Sequence, residues 1–141
     1  MTITGVLRRE VVNAGILSAD RIVSTWIPAD KRTYPIVLFA ELSAEQPKIF
    51  LDAASTDIFI SIGVAVISNK PDASTKTHGI QKEIKAVLDG ITGKTLDTIF
   101  VGSVRRIAPP LFTPGETDDA ADVHFYENTA VYDIEYEEVA S

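Results

Sequence analysis

Ile58-Phe59-Ile60-Ser61-Ile62-Gly63-Val64-Ala65-Val66-Ile67 is the stretch from which the architecture can be read. Successive side chains of a strand point to opposite sides, so Ile58, Ile60, Ile62, Val64 and Val66 share one face and Phe59, Ser61, Gly63, Ala65 and Ile67 the other. The first face is entirely β-branched and is the one expected beneath helices. After the polar break Ser68-Asn69-Lys70-Pro71-Asp72 the period changes. Ile80, Ile84, Val87, Leu88 and Ile91 follow helical spacing, while Gln81, Lys82, Glu83, Lys85 and Asp89 fill the remaining surface. Asp72 or Ser74 is expected to cap this helix. Gly79 weakens its interior by about 1 kcal/mol relative to alanine, and Gly90 or Gly93 ends it.

Toward the N-terminus, Ile3, Leu7, Val11 and Ala14 predict a helix within Thr2 to Leu17, with Gly15 near its end. Arg21 to Trp26 reads as a short strand, and Pro28 to Thr33 as a polar loop. Pro35 opens the strand Ile36 to Ala40, where its missing N–H costs no ladder bond. Ser43 to Pro47 reads as a turn, Lys48 to Leu51 as a short edge strand and Asp52 to Asp57 as a loop. Toward the C-terminus, Thr98 to Ile107 reads as a strand with Gly102 marking a bulge. Ala108 to Asp122, with Pro109, Pro110, Pro114 and Gly115 among its acidic residues, fits neither a helix nor a paired strand, and a loop of that length inside a domain is commonly functional or disordered. Val123 to Tyr126 and Ala130 to Tyr136 resume strand character, with Tyr132, Ile134 and Tyr136 on one face. The expectation is one α+β domain over residues 1–141, a mainly antiparallel sheet of four to five strands with two helices packed on one face and extended loops.

Composition narrows the function classes. At 141 residues the chain can bury roughly two-thirds of the surface exposed when unfolded. With 45% hydrophobic and 23% charged residues it reads as an ordinary soluble domain. Its apolar runs stop short of the roughly 20 residues a membrane helix needs, and no secretory leader is expected from an N-terminus carrying Arg8 and Arg9. The absence of cysteine excludes disulfides, cysteine-based zinc sites and thiol nucleophiles. A net charge of −7 and a pI near 4.7 argue against general nucleic-acid affinity.

Phosphate-cradling, dinucleotide-binding, nucleophile-elbow and zinc-protease spacings do not occur. His78 falls on the polar side of a helix. His124, close to Asp118, Asp119 and Asp122, is the remaining candidate for acid–base or metal chemistry, though acidic loops are more commonly just solvated. Neither a catalytic residue nor a cofactor is assigned.

Charge is distributed unevenly. Arg8, Arg9, Arg21, Lys31 and Arg32 lie in the first third, whereas Glu116, Asp118, Asp119, Asp122, Glu135, Glu137 and Glu138 crowd the last quarter. One copy's basic end can face another's acidic end; two solvated surfaces is the plainer reading. Trp26, Tyr34, Tyr126, Tyr132 and Tyr136 are residue types enriched at interfaces, and equally types that cap a core. Arg105 and Arg106 beside Pro109 and Pro110 form either a docking edge or a strand end guarded by charge. The interface candidates are therefore Arg8, Arg9, Trp26, Lys31, Arg32, Arg105 and Arg106 on the basic side, and Glu116, Asp118, Asp119 and Asp122 on the acidic side.

The order of elements resembles the tail-terminator, or tail-completion, family of long-tailed bacteriophages and prophages. The resemblance rests on Arg21-Ile22-Val23 followed by Tyr34-Pro35-Ile36-Val37-Leu38, on the central strand ending near Ser68, on the helix with Ile80, Ile84, Val87 and Leu88, and on the closing Asp133-Ile134-Glu135-Tyr136. It implies a virion structural protein rather than an enzyme, assembled in the host cytoplasm into a ring, commonly a hexamer. Such a ring sits on the head-proximal end of the tail tube, ends tube polymerisation and joins the tail to the head connector or stopper. DNA would pass through its lumen without sequence-specific binding, and no membrane would be involved. Two alternatives stay open: another head–tail adaptor or stopper, and a small α+β ligand-binding domain or enzyme using His124 and nearby carboxylates.

Overall fold

A computed structural model describes residues 2–24, 33–43, 46–49, 54–69, 73–107, 110–118 and 123–138, with the backbone alone at 46–49, 54–57, 73, 114–118 and 123–124. Helix α1 (Ile3–Asn13) starts where Thr2 accepts a hydrogen bond from the Gly5 N–H, satisfying one of the orphan donors of the first turn. It stops at Gly15, whose φ of +75° lies in the left-handed region that ends helices and favours glycine. A 3₁₀ turn (Ala19–Arg21) then leads to β1 (Ile22–Val23).

The remaining elements are β2 (Ile36–Glu41), β3 (Gln46–Ile49), β4 (Ala54–Ser68), α2 (Ala73–Gly90), β5 (Thr95–Leu96), β6 (Ile99–Arg106), β7 (Leu111–Asp118) and β8 (Val123–Glu138). Ser74 lies inside α2 rather than at its cap, and Asp72 falls outside the described residues. The main sheet order is β1-β2-β4-β8-β6-β5, with β3 paired to β4 and β7 to β8. Two long antiparallel strands, β4 and β8, form its axis, in register from Asp57↔Glu137 to Ser68↔Tyr126. Each is flanked by two shorter strands laid end to end, β2 and β3 along β4, and β6 and β7 along β8.

Four expectations need correction. The sheet holds more strands than four to five and is mixed, because β1 runs parallel to β2. Residues 54–57, expected in a loop, extend β4, with Ala54 pairing with Ile49 of β3 and Asp57 with Glu137 of β8. The segments 123–126 and 130–136 belong to one 16-residue strand. Most of the supposed acidic loop is β7, tolerated despite Pro114 because its only partner among the described residues is β8 and its register shifts between Pro114 and Thr117. A proline is acceptable on such an edge strand and beside a bulge, where its missing donor breaks no ladder. The bulge expected at Gly102 is present, the β6–β8 register shifting between Val101 and Ser103.

The core occupies one face of this sheet. Ile60, Ile62, Val64 and Val66 of β4 meet Val37 and Phe39 of β2 and Tyr132, Ile134 and Tyr136 of β8 beneath the apolar stripes of both helices. From α1 come Ile3, Val6, Leu7 and Val11, and from α2 Ile80, Ile84 and Leu88. Each such aliphatic side chain contributes about 1.5–3 kcal/mol relative to exposure. Inside this core Gln81, 1% exposed, donates from Nε2 to the carbonyls of Val64 and Asn128, both at 2.8 Å, tying α2 to both central strands. A smaller apolar cluster, Ile36, Ile67 and Phe125 with Val23, Tyr34 and Leu38 against it, sits on the other face.

Candidate assembly interface

The face of the sheet away from the helices carries a line of carboxylates. Asp133, Glu135 and Glu137 recur every second residue along β8 and therefore project to the same side, opposite in sense to the buried Ile134 and Tyr136. Their neighbours across the ladder are Ser61 and Arg105 beside Asp133, Ser103 beside Glu135, and Phe100 beside Glu137. Ser61 donates to Asp133 at 2.7 Å, and Ser103 makes a longer contact of 3.4 Å to Glu135. Among the described residues carboxylates outnumber cations along this strip.

The basic residues of the first third do different work. Arg8 donates from Nε to the Ile22 carbonyl and from its guanidinium to the Ala19 carbonyl at 2.8 Å, so its fork clamps the 3₁₀ turn and β1 onto α1. Arg9 is half-buried on the same helix, and the Arg21 Nε is buried without a hydrogen-bond partner. Trp26, Lys31 and Arg32 lie outside the described residues. So do Asp119 and Asp122, while Glu116, Asp118 and His124 are placed by their backbones alone, His124 opposite Thr117 and Asp118 opposite Val123. The structure thus places Glu116 and Asp118 on β7, paired with β8 at the opposite end of the sheet from the pairing of β3 with β4.

The aromatic candidates divide in the same way. Tyr132 and Tyr136 are core residues, and Tyr34 packs at a centroid distance of 4.9 Å on Phe125. Tyr126 stacks on Phe112, whose ring in turn lies 5.9 Å from that of the exposed His78. The His78 Nδ1–H donates to the Ser74 carbonyl one turn earlier, which orients the ring along its own helix. Burial pushes the Tyr132 phenol above its ordinary value, with the Arg106 charge acting against the shift and Asp89 adding to it. Among the described residues no group of three or more His, Asp or Glu side chains could hold a metal ion, and no helix is long and apolar enough to cross a membrane.

Sequence reasoning named the Arg105–Arg106 end of β6 as a docking edge or a guarded strand end, and missed the edge at β2. Strand β1 covers β2 at two positions alone, Ile22 pairing with Val37 and Val23 with Leu38. Beyond them, Phe39, Ala40 and Glu41 have no strand on their outer side among the described residues, and a groove of about 480 Å³ lies there, lined by Thr2, Thr4, Ser24 and Leu38 to Glu41. At the far side β5 pairs with Ile99 and Phe100 of β6, and Gly93 and Lys94 just before it hydrogen-bond the backbone of Val101, leaving Gly102 to Arg106 without an outer strand among the described residues. An apolar residue directly following a strand was the available signal: Leu42 after β2 is 55% exposed, and Ile107 after β6 is 48% exposed.

Neither a family model nor a curated protein sequence matches the chain. Among solved structures, the chain is similar to one from the virion of a native gene transfer agent (GTA) particle, with a TM-score of 0.54 and 8% identity over 94% of each chain. At that identity the likeness is one of fold, and it extends across nearly the whole of both chains.

Proposed function

We propose that this protein is a structural component of a phage-like particle, acting as a tail-terminator-like ring at the head-proximal end of a tail tube. The observation that carries this reading is the fold shared with a virion chain over 94% of both partners, which leaves little of either chain outside the common architecture. The layout supports it in three ways. The strand pairs β3–β4 and β7–β8 extend the sheet at opposite ends, giving one arm for the tube below and one for the head connector or stopper above. The two sheet edges lie on opposite flanks, as lateral contacts in a ring require. The line of Asp133, Glu135 and Glu137 on the helix-free face suits a lumen through which DNA slides without sticking.

The mechanism is binding: a closed ring seated on the tube offers no further tube-like surface, so subunit addition stops. The hexameric copy number, the tube and connector as partners and the location at the neck of the virion all belong to this proposal. Its test is electron microscopy of the purified protein alone and mixed with polymerising tail-tube protein. Rings of tube-like diameter and tubes capped at one end with arrested growth are expected; uncapped tubes of unchanged length overturn the reading.

A further inference from the structure

Resting on the ring reading above, we infer that neighbouring copies join by sheet extension, the β6 edge of one copy pairing antiparallel with the β2 edge of the next. The strand directions require this sense of pairing. Since β2, β4, β8 and β6 alternate in direction, β2 and β6 of one subunit run oppositely, and rotation about an axis roughly along the strands preserves that relation between neighbours. Among the described residues β1 covers β2 only at Val37 and Leu38, and the segment Gly93 to Leu96 covers β6 from Ile99 to Val101, so on opposite flanks Phe39 to Glu41 and Gly102 to Arg106 have no strand on their outer side. Exposed strand edges of this kind are templates for pairing, and closing a sheet on itself removes them.

Charge selects which edges meet. The β6 edge ends in Arg105 and Arg106, so two β6 edges brought together would oppose like charges. The β2 edge ends in the exposed Glu41, whose carboxylate accepts a hydrogen bond from Thr4 at the rim of the groove. Glu41 shares the helix-side face with Phe39 and pairs with Ile62, and Arg106 lies on that same face opposite Tyr132. A β6 edge laid in the groove therefore brings Arg106 toward Glu41. On the other face, the antiparallel sense carries the exposed Ile107 toward Leu38 and Ala40. The contact is heterologous, which generates a ring when the rotation closes.

Because the chain has no cysteine, the test is free of background. Ala40→Cys and Ser103→Cys sit on the exposed outer face of the two edges, and a short bismaleimide tolerates small differences in register. The double variant, treated with this reagent at high protein concentration, is expected to give a ladder of covalent oligomers, whereas each single variant gives none. In parallel, Arg105→Glu with Arg106→Glu should raise the ring's dissociation concentration by about tenfold or more, since like-charge juxtaposition at an interface is costly, and adding Glu41→Arg should restore assembly. Rings seen by mass photometry without a ladder overturn edge pairing and leave the ring standing. Dimers from a single variant overturn the heterologous arrangement, and monomers throughout overturn edge pairing together with the ring.

Discussion

The two faces of the central sheet are made from the same strands and obey opposite rules. On the helix side Ile60, Ile62, Val64, Tyr132 and Ile134 are fully buried, and the polar Gln81 and Asn128 are enclosed with them. One residue along, on the other side, Ser61, Asp133 and Glu135 are only half-buried, Ser61 donating to Asp133 and Ser103 contacting Glu135. Folding free energy is therefore concentrated on one face, leaving the other free to vary in charge at little cost to the fold. The most severe disruption of that contrast should come from Leu88→Ala, which empties a fully buried position of α2. A loss of about 2–5 kcal/mol is expected in urea or guanidinium unfolding. A loss under about 1 kcal/mol would mean that α2 is not seated on the sheet as described.

Next in size is Gln81→Leu. The substitution keeps the volume but removes the amide that serves the Val64 and Asn128 carbonyls, and a buried acceptor left without its donor costs about 1–3 kcal/mol. Gln81 Oε1 and both polar side-chain atoms of Asn128 have no hydrogen-bond partner, so the Gln81→Leu, Asn128→Leu double variant should recover part of the loss. Strict additivity of the two single effects in the same unfolding assay would refute a shared polar cluster.

On the open face the matching change is Asp133→Asn, which weakens the acceptor for Ser61 beside water rather than inside the core. About 1 kcal/mol or less is expected, with thermal unfolding as the readout. A loss equal to that of Gln81→Leu would erase the distinction between the faces.

This contrast was legible in the sequence where periodicity controlled it. The alternation through Ile58 to Ile67 and the stripe through Ile80, Ile84 and Leu88 identify the buried sides because burial rewards one repeat and penalises the other. Gly102 and Gly15 were readable for a local reason, a bulge and a left-handed helix end. What the sequence concealed depended on partners distant along the chain. Pro114 argues against a strand until an edge position and a bulge make its missing N–H harmless, and nothing near residues 54–57 announces that Ala54 will meet β3 and Asp57 will meet β8. Charge counting likewise placed Arg8 among interface candidates, although its fork closes on the carbonyls of Ala19 and Ile22. A count of charges does not distinguish an internal clamp from a docking patch.

The mildest change expected at neutral pH lies within the core itself. Tyr132 is fully buried on the helix side, yet its hydroxyl has no hydrogen-bond partner of good geometry, the Arg106 charge being its main favourable influence. Tyr132→Phe preserves the ring and removes only that hydroxyl, so at neutral pH stability should move by no more than about 0.5–1 kcal/mol. The variant shows itself in alkali. Burial raises the phenol above the ordinary value of 10.0, so as pH climbs past that value the unfolded chain releases its proton while the folded chain still holds it. The unfolded state then binds fewer protons, and linkage makes stability fall with rising pH until the folded phenol also ionises. The wild-type protein should therefore lose stability above pH 10 more steeply than Tyr132→Phe, and equal slopes in unfolding experiments across that window would show that this hydroxyl reaches solvent.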